Sequence, residues 1–210
     1  MARQTKTNRA AGRARLVPAQ QRSRERYERI LAGAVAVMVE KGSEAFRMSD
    51  VVERTGVPFG SLYQYFPDKS AIVATLAERY NAIGRACVAH ELAAIESLDD
   101  LHPALCRITD AYYQLFVDEP VMRDIWQATQ ADRALQQLDA EDGAFLTGLL
   151  IDALLPVAGG RDEAAIATFA QLVMVLIAAA VRHAIVLPPE EGRALLDQFK
   201  LFLPRAFASG

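Results

Sequence analysis

The chain has 210 residues, 52% of them apolar, with 23 Lys/Arg against 26 Asp/Glu and two cysteines. That size and apolar content supply a core for one large domain or two smaller ones. Cys87 and Cys106 form no CxxC pair and have no His at ligand spacing, which argues against a disulfide framework or a cysteine metal site and for a reduced compartment. The net charge of −3 conceals a division. Residues 1–69 hold 13 Lys/Arg against 7 Asp/Glu, and residues 70–210 hold 10 against 19, so polyanion contact belongs to the front of the chain.

In chain order, residues 1–19 show no apolar period and are expected to form a disordered basic arm. From about Gln20 to Lys41, Tyr27, Leu31, Ala34 and Met38 repeat at the 3.6-residue period of an amphipathic helix, and Gly42 suits its C-terminal stop. Met48 to Thr55 reads as a two-turn helix, Gly56-Val57 as a turn, and Pro58 as the start of another helix that Pro67 ends. Asp68 can cap a long helix from Lys69 to about Leu98. Further helices are expected through Tyr112 and Phe116, after Pro120, over about 132–155, over 161–187, and from Glu190 to Ala208. The pattern predicts an all-α protein of about nine helices with no period-2 strand. The domain reading is arm 1–19, a three-helix helix-turn-helix domain 20–68, and a helical domain 69–208.

The basic N-terminus lacks the apolar run of a signal peptide. The longest apolar run, Phe169 to Val181, spans 13 residues, short of the roughly 20 that cross a bilayer. The expectation is a soluble, cytoplasmic protein without a membrane partner.

The segment from Met48 to Lys69 carries the chemistry. Leu62 and Phe66, four apart, share a face and should pack inward against Val51 and Val52. The other face is then Phe59, Gly60, Ser61, Tyr63, Gln64 and Tyr65. Gln makes bidentate contacts with adenine and Phe packs on a thymine methyl. Ser and Tyr hydroxyls and the Lys69 ammonium suit phosphate oxygens. A Gly-flanked helix pair is common in helical proteins, but here it coincides with a basic arm and an exposed polar-aromatic face, which favours a DNA major-groove reader.

At Thr55-Gly-Val-Pro-Phe-Gly-Ser-Leu-Tyr-Gln-Tyr-Phe-Pro-Asp-Lys69 the sequence resembles the DNA-binding domain of the TetR family of bacterial transcriptional regulators, from Arg26 to Leu76. The resemblance implies base contacts by Phe59, Gly60 and Gln64. It implies phosphate contacts by Arg47, Ser49, Ser61, Tyr63, Tyr65 and Lys69. It also implies a homodimer on palindromic operator DNA, a small-molecule effector cavity in the C-terminal helices, and repression relieved by that effector. Three positions depart from the family pattern. Pro58 stands where a capping Ser is common, and Arg47 stands where a Thr or Ser often begins the second helix. Val52 replaces a small residue at the crossing of the two helices.

Nine Arg/Lys stand in residues 1–29 against Glu25 and Glu28. This is either a solvated tail or a phosphate-tracking arm. The apolar helix around Val173, Ile177 and Ala180, with Leu196 and Phe199 of the last helix, is either an internal core or half of a four-helix dimer interface. Tyr112, Tyr113, Phe116, Met122, Trp126, Phe145, Met174 and His183 are either plain core or the wall of a cavity for a flat, mostly apolar molecule, with Trp126 the favoured wall residue. His90, His102 and His183 show no metal-ligand spacing, and there is no nucleophile elbow or phosphate-cradling loop. No enzyme, cofactor or metal is therefore expected. A protein-binding helical adaptor is the competing non-enzymatic reading.

Overall fold

The computed structural model describes residues 21–205, so the expected disordered arm lies outside the described residues. Among them are nine α-helices and no strand. They are α1 (Gln21–Ala45), α2 (Met48–Thr55), α3 (Phe59–Tyr65), α4 (Lys69–Leu92), α5 (Leu101–Asp118), α6 (Val121–Ala131), α7 (Arg133–Leu154), α8 (Glu163–Ala184) and α9 (Pro189–Phe202). Two ends fall short of the sequence reading. α4 stops at Leu92 rather than Leu98, where Ser97 and Asp100 begin a separate short 3-10 turn. α9 stops at Phe202 rather than Ala208.

The chain divides into two compact units. The first comprises residues 21–78 and 124–137, and the second 79–123 and 138–205. In the first, Ile30, Leu31, Ala34, Val37 and Met38 of α1 are buried with Phe46, Val51, Leu62 and Phe66. Gly42 interrupts α1 with φ 77°, a left-handed conformation that other L-residues rarely adopt. After that break the Ser43 amide donates to Asp124 Oδ1 at 3.3 Å. Asp50 Oδ2 accepts from the Arg47 amide at 3.0 Å, and Oδ1 accepts from Lys41 Nζ at 3.0 Å. The lysine ammonium is the main reason the Asp50 carboxyl is held below its ordinary pKa. Asp50, at the third position of α2, thus satisfies the backbone amide of the N-cap residue Arg47, the half of a capping box that does not need an N-cap acceptor. Val52 is half-buried. A close approach of α1 and α2 lies at Gly33, where an added Cβ would stand 2.2 Å from the Thr55 γ-methyl.

In the second unit Leu101, Leu105 and Ile108 of α5 are buried with Leu150 and Leu154 of α7 and with Ile166, Ala170, Val173 and Ile177 of α8. α8 starts on an Asp162 side-chain cap to the Ala165 amide at 3.1 Å. At 22 residues it is long and apolar enough to cross a membrane by length and composition alone, a correction to the 13-residue run, because Ala164 to Ala167 extend it. The close approach of α8 and α9 depends on Gly192, where an added Cβ would stand 2.5 Å from the Ala184 carbonyl oxygen and 3.3 Å from Tyr113 Oη. A backbone oxygen cannot turn aside as a side chain can. Gly192→Ala is therefore expected to lower stability by about 1–3 kcal/mol through overpacking, despite alanine's better helix propensity. An unchanged denaturation midpoint would refute this.

Candidate functional site

Within the first unit, α3 puts two faces to different uses. Leu62, Tyr65 and Phe66 point inward at i, i+3 and i+4, and Leu62 and Phe66 are fully buried. Tyr65 was expected outside but is only 5% exposed. Its ring meets Tyr27 edge-on at 6.0 Å, and its hydroxyl pairs with Ser23 Oγ at 2.6 Å. The helical period puts residue 65 beside residue 62, and Ser23 satisfies the hydroxyl that made the residue look like a surface group. Tyr27 also stacks on Phe66 at 5.3 Å, so α1 and α3 share an aromatic core.

The outer face of α3 carries Phe59 (47% exposed), Gly60, Tyr63 (46% exposed) and Gln64. Phe59 and Tyr63 stack at 6.3 Å with planes 18° apart, forming one aromatic plate beside the Gln64 amide. Ser61 is half-buried and accepts from Arg26 Nη1 at 3.3 Å. Arg47, Ser49 and Lys69 are exposed. Asp68 caps α4 as expected, its Oδ1 accepting from the Ala71 amide at 2.8 Å. The Ser61–Arg26 pairing was not foreseen, because the two residues are 35 apart in sequence. Amide and aromatic groups turned outward on a helix are chemically able to contact base edges, and exposed cations and hydroxyls to contact phosphates.

The second unit carries a cavity of about 1090 Å³, open on one side, lined from α4, α5, α7 and α8, with Met122 from the start of α6. Of the eight residues expected there, Tyr112, Met122 and Met174 line it. The other five do not. Tyr113 and Phe116 are buried in the core, Phe116 meeting the lining Tyr112 edge-on at 5.2 Å. Trp126 belongs to the first unit. Phe145 is on the surface beneath the Arg85 guanidinium, 5.0 Å from its ring centre. His183 is exposed. Large side chains at helical spacing do not reveal which face of their helix looks into a cavity.

Polar groups of the lining include Thr147, Thr168 and Gln171 as well as the carboxylates Asp118, Asp139 and Asp142, and its one arginine is Arg182. Arg182 Nη2 donates to Asp139 Oδ1 at 2.6 Å, and the guanidinium also bonds Tyr112. Burial pulls the Arg182 pKa down, but Tyr112 and Asp139 more than offset it and hold the guanidinium charged. Asp142, also on the lining, accepts from Arg85 Nε at 2.5 Å. Burial and a 2.9 Å bond to Glu119 push the Tyr80 hydroxyl up to about 12, so it stays protonated. Burial also raises the Cys87 thiol, which leaves it a poor nucleophile. A lone arginine in the last turn of an apolar helix was the one available sequence signal for the Arg182–Asp139 pair.

The expected interface residues Val173, Ile177 and Leu196 are buried inside their own chain, while Ala180 and Phe199 are half-buried. α8 uses the stripe of residues 166, 170, 173, 177 and 184 for its core. Outside that stripe and the cavity lining, its exposed residues include Ala165, Leu172, Leu176 and His183, while Phe169 packs against the core and Ala179 lines the cavity. Leu172 is 56% and Leu176 46% exposed, and Leu201 and Phe202 of α9 are exposed too.

Comparison with known proteins agrees with this architecture. The family model described as "Bacterial regulatory proteins, tetR family" matches residues 30–76, and that described as "Tetracyclin repressor-like, C-terminal domain" matches residues 99–208. The chain belongs to the TetR family. The transcriptional repressor KstR of Mycolicibacterium smegmatis is 41% identical over 61 residues, 29% of this chain and 30% of that one. The chain spans less than a third of the length of the curated relatives it matches. Among solved structures, a TetR-family regulator of Pectobacterium atrosepticum covers 91% of this chain and 99% of its own, with a TM-score of 0.67 at 20% identity. FadR of Bacillus subtilis, in complex with stearoyl-CoA, covers 81% and 96%, with a TM-score of 0.62 at 17% identity. These two similarities are of fold.

Proposed function

We propose that the protein is a homodimeric, effector-released repressor that reads a near-palindromic operator. The observation that carries this reading is the outer face of α3, where Phe59, Gly60, Tyr63 and Gln64 stand free over a satisfied aromatic core. Phe59, Gly60 and Gln64 meet bases. Arg47, Ser49, Ser61, Tyr63 and Lys69 grip phosphates, and Arg26 orients the Ser61 hydroxyl. Tyr65 steadies α3 from behind, its hydroxyl committed to Ser23.

The partner chain is a second copy seated on Leu172 and Leu176 of α8 and on Leu201 and Phe202 at the end of α9. All four are large apolar side chains left exposed in the single chain, and Leu172 and Leu176, four apart, share one helix face. The effector is a small molecule in the 1090 Å³ cavity, at the upper end of the usual size for such sites. α4 runs unbroken from Lys69, next to the reading helix, to the Tyr80–Val88 stretch that lines the cavity. A ligand that displaces α4 changes the spacing of the paired reading helices, which must meet half-sites about 34–36 Å apart.

The test is retardation of DNA from upstream of the protein's own gene. A salt-sensitive, sequence-specific complex of two chains is expected, and a complex indifferent to sequence would overturn the reading. Deleting residues 1–15, which remove five Arg/Lys, should flatten the dependence of log affinity on log salt. An unchanged slope would exclude the arm from DNA contact.

A further inference from the structure

We propose that Gly84, Gly143 and Gly148 set the capacity of the cavity, and that it takes a rigid, elongated ring system with a neutral hydrogen-bonding group at one end. This rests on the effector reading above and specifies its ligand. All three glycines lie inside helices, where glycine is destabilising relative to alanine. None has a positive φ. A Cβ built on any of them meets nothing within 4 Å, unlike Gly33 and Gly192, where it collides. Neither backbone conformation nor close packing calls for glycine at these positions. What they share is the cavity wall, so the missing side chains are cavity space.

The lining runs from Asp139 to Ile151 on α7 and from Ala167 to Arg182 on α8, roughly 18 and 22 Å of helix at 1.5 Å per residue. A volume of about 1090 Å³ over that length leaves a channel wider than one extended alkyl chain fills, which favours fused or linked rings.

Polarity fixes the orientation. The Arg182–Asp139 and Arg85–Asp142 pairs stand near one end, with the Tyr112 hydroxyl. Toward the other end, Thr147 and Thr168 donate to the Gly143 and Ala164 carbonyls of their own helices at 2.8 and 2.9 Å, so their hydroxyl protons are already committed, and the remaining polar side chain there, Gln171, is exposed. Arg182 has Asp139, Asp142 has Arg85 just off the lining, and the third lining carboxylate, Asp118, is exposed and accepts from Gln114, so a charged ligand group buried among these pairs would have no free counter-charge in a largely apolar site. A carbonyl or hydroxyl adds a hydrogen bond without that penalty.

The test uses the full-length protein and three dyes: Nile red (a neutral fused-ring ketone), anilinonaphthalene sulfonate (an anion) and rhodamine 6G (a cation). Nile red is expected to bind at one molecule per chain and more tightly than either charged dye. Gly84→Leu, Gly143→Leu and Gly148→Leu should each weaken it at least tenfold, with thermal unfolding midpoints unchanged or raised. The proposal is overturned if Nile red fails to bind or if a charged dye binds more tightly. It is also overturned if the leucine variants bind as well as the parent, as they would were the dye held on the outer face of α8, or if the substitutions lower the midpoint. Dye binding is read without DNA. Nile red that behaves as expected yet leaves operator retardation unchanged would therefore sink the effector reading while the cavity assignment stands.

Discussion

Leu172→Glu together with Leu176→Glu is expected to give a folded monomer that no longer forms a stable complex with a two-half-site operator. Both leucines are about half exposed in the isolated chain, and glutamate is a good helix former, so the subunit itself should tolerate the change. A two-fold partner on the same face brings four carboxylates into an apolar seam, where unpaired charges are costly to bury. Losing the second reading head removes the avidity of a linked pair, so operator affinity should fall about a hundredfold or more. Light scattering reads the mass, circular dichroism the fold, and gel retardation the binding. A double variant that stays dimeric would place the interface elsewhere. Val173, Ile177 and Leu196 offer no such test, because changing them breaks the subunit's own core.

Gln64→Ala is expected to reduce operator binding while leaving binding to unrelated DNA nearly unchanged. A bidentate amide contact to adenine discriminates by about 1–3 kcal/mol, and a symmetric site loses it in both halves. Each 1.4 kcal/mol is about tenfold, so the specific complex should weaken roughly tenfold to a hundredfold per half-site. Gln64 is exposed and outside the Leu62–Tyr65–Phe66 core, so the unfolding midpoint should not move. Lys69→Ala provides the contrast, since losing a phosphate contact weakens all sequences alike and lowers the salt slope by about one. If Gln64→Ala weakens specific and unrelated DNA equally, Gln64 is not a base reader.

Much of this molecule was legible before folding. Helix ends coincide with Gly42, Pro58, Pro67 and the Pro188-Pro189 pair because such residues act locally, through a positive φ or a missing amide proton. The two faces of α3 were nearly legible as well. The exception, Tyr65, shows why: its position obeys the helical period, but only Ser23, 42 residues away, makes a buried hydroxyl tolerable.

The cavity was read less well, for a related reason. Aromatic side chains attract attention in a sequence, yet Tyr113, Phe116 and Phe145 turn to core or surface. The space itself comes from glycines and from an arginine whose carboxylate stands 43 residues earlier in the chain. Likewise, periodicity marks α8 as apolar nearly all round. It does not divide that helix into core, cavity and outward faces.

By itself the sequence determined the helices, their order and the helix-turn-helix that marks a DNA reader. Those features follow from backbone chemistry and from spacings of three and four residues. Only the tertiary structure decided which face of each helix meets which neighbour. It grouped residues 124–137 with the helix-turn-helix unit, formed the cavity, and left Leu172 and Leu176 outside. Those outcomes depend on contacts between residues far apart in the chain, which no local pattern specifies.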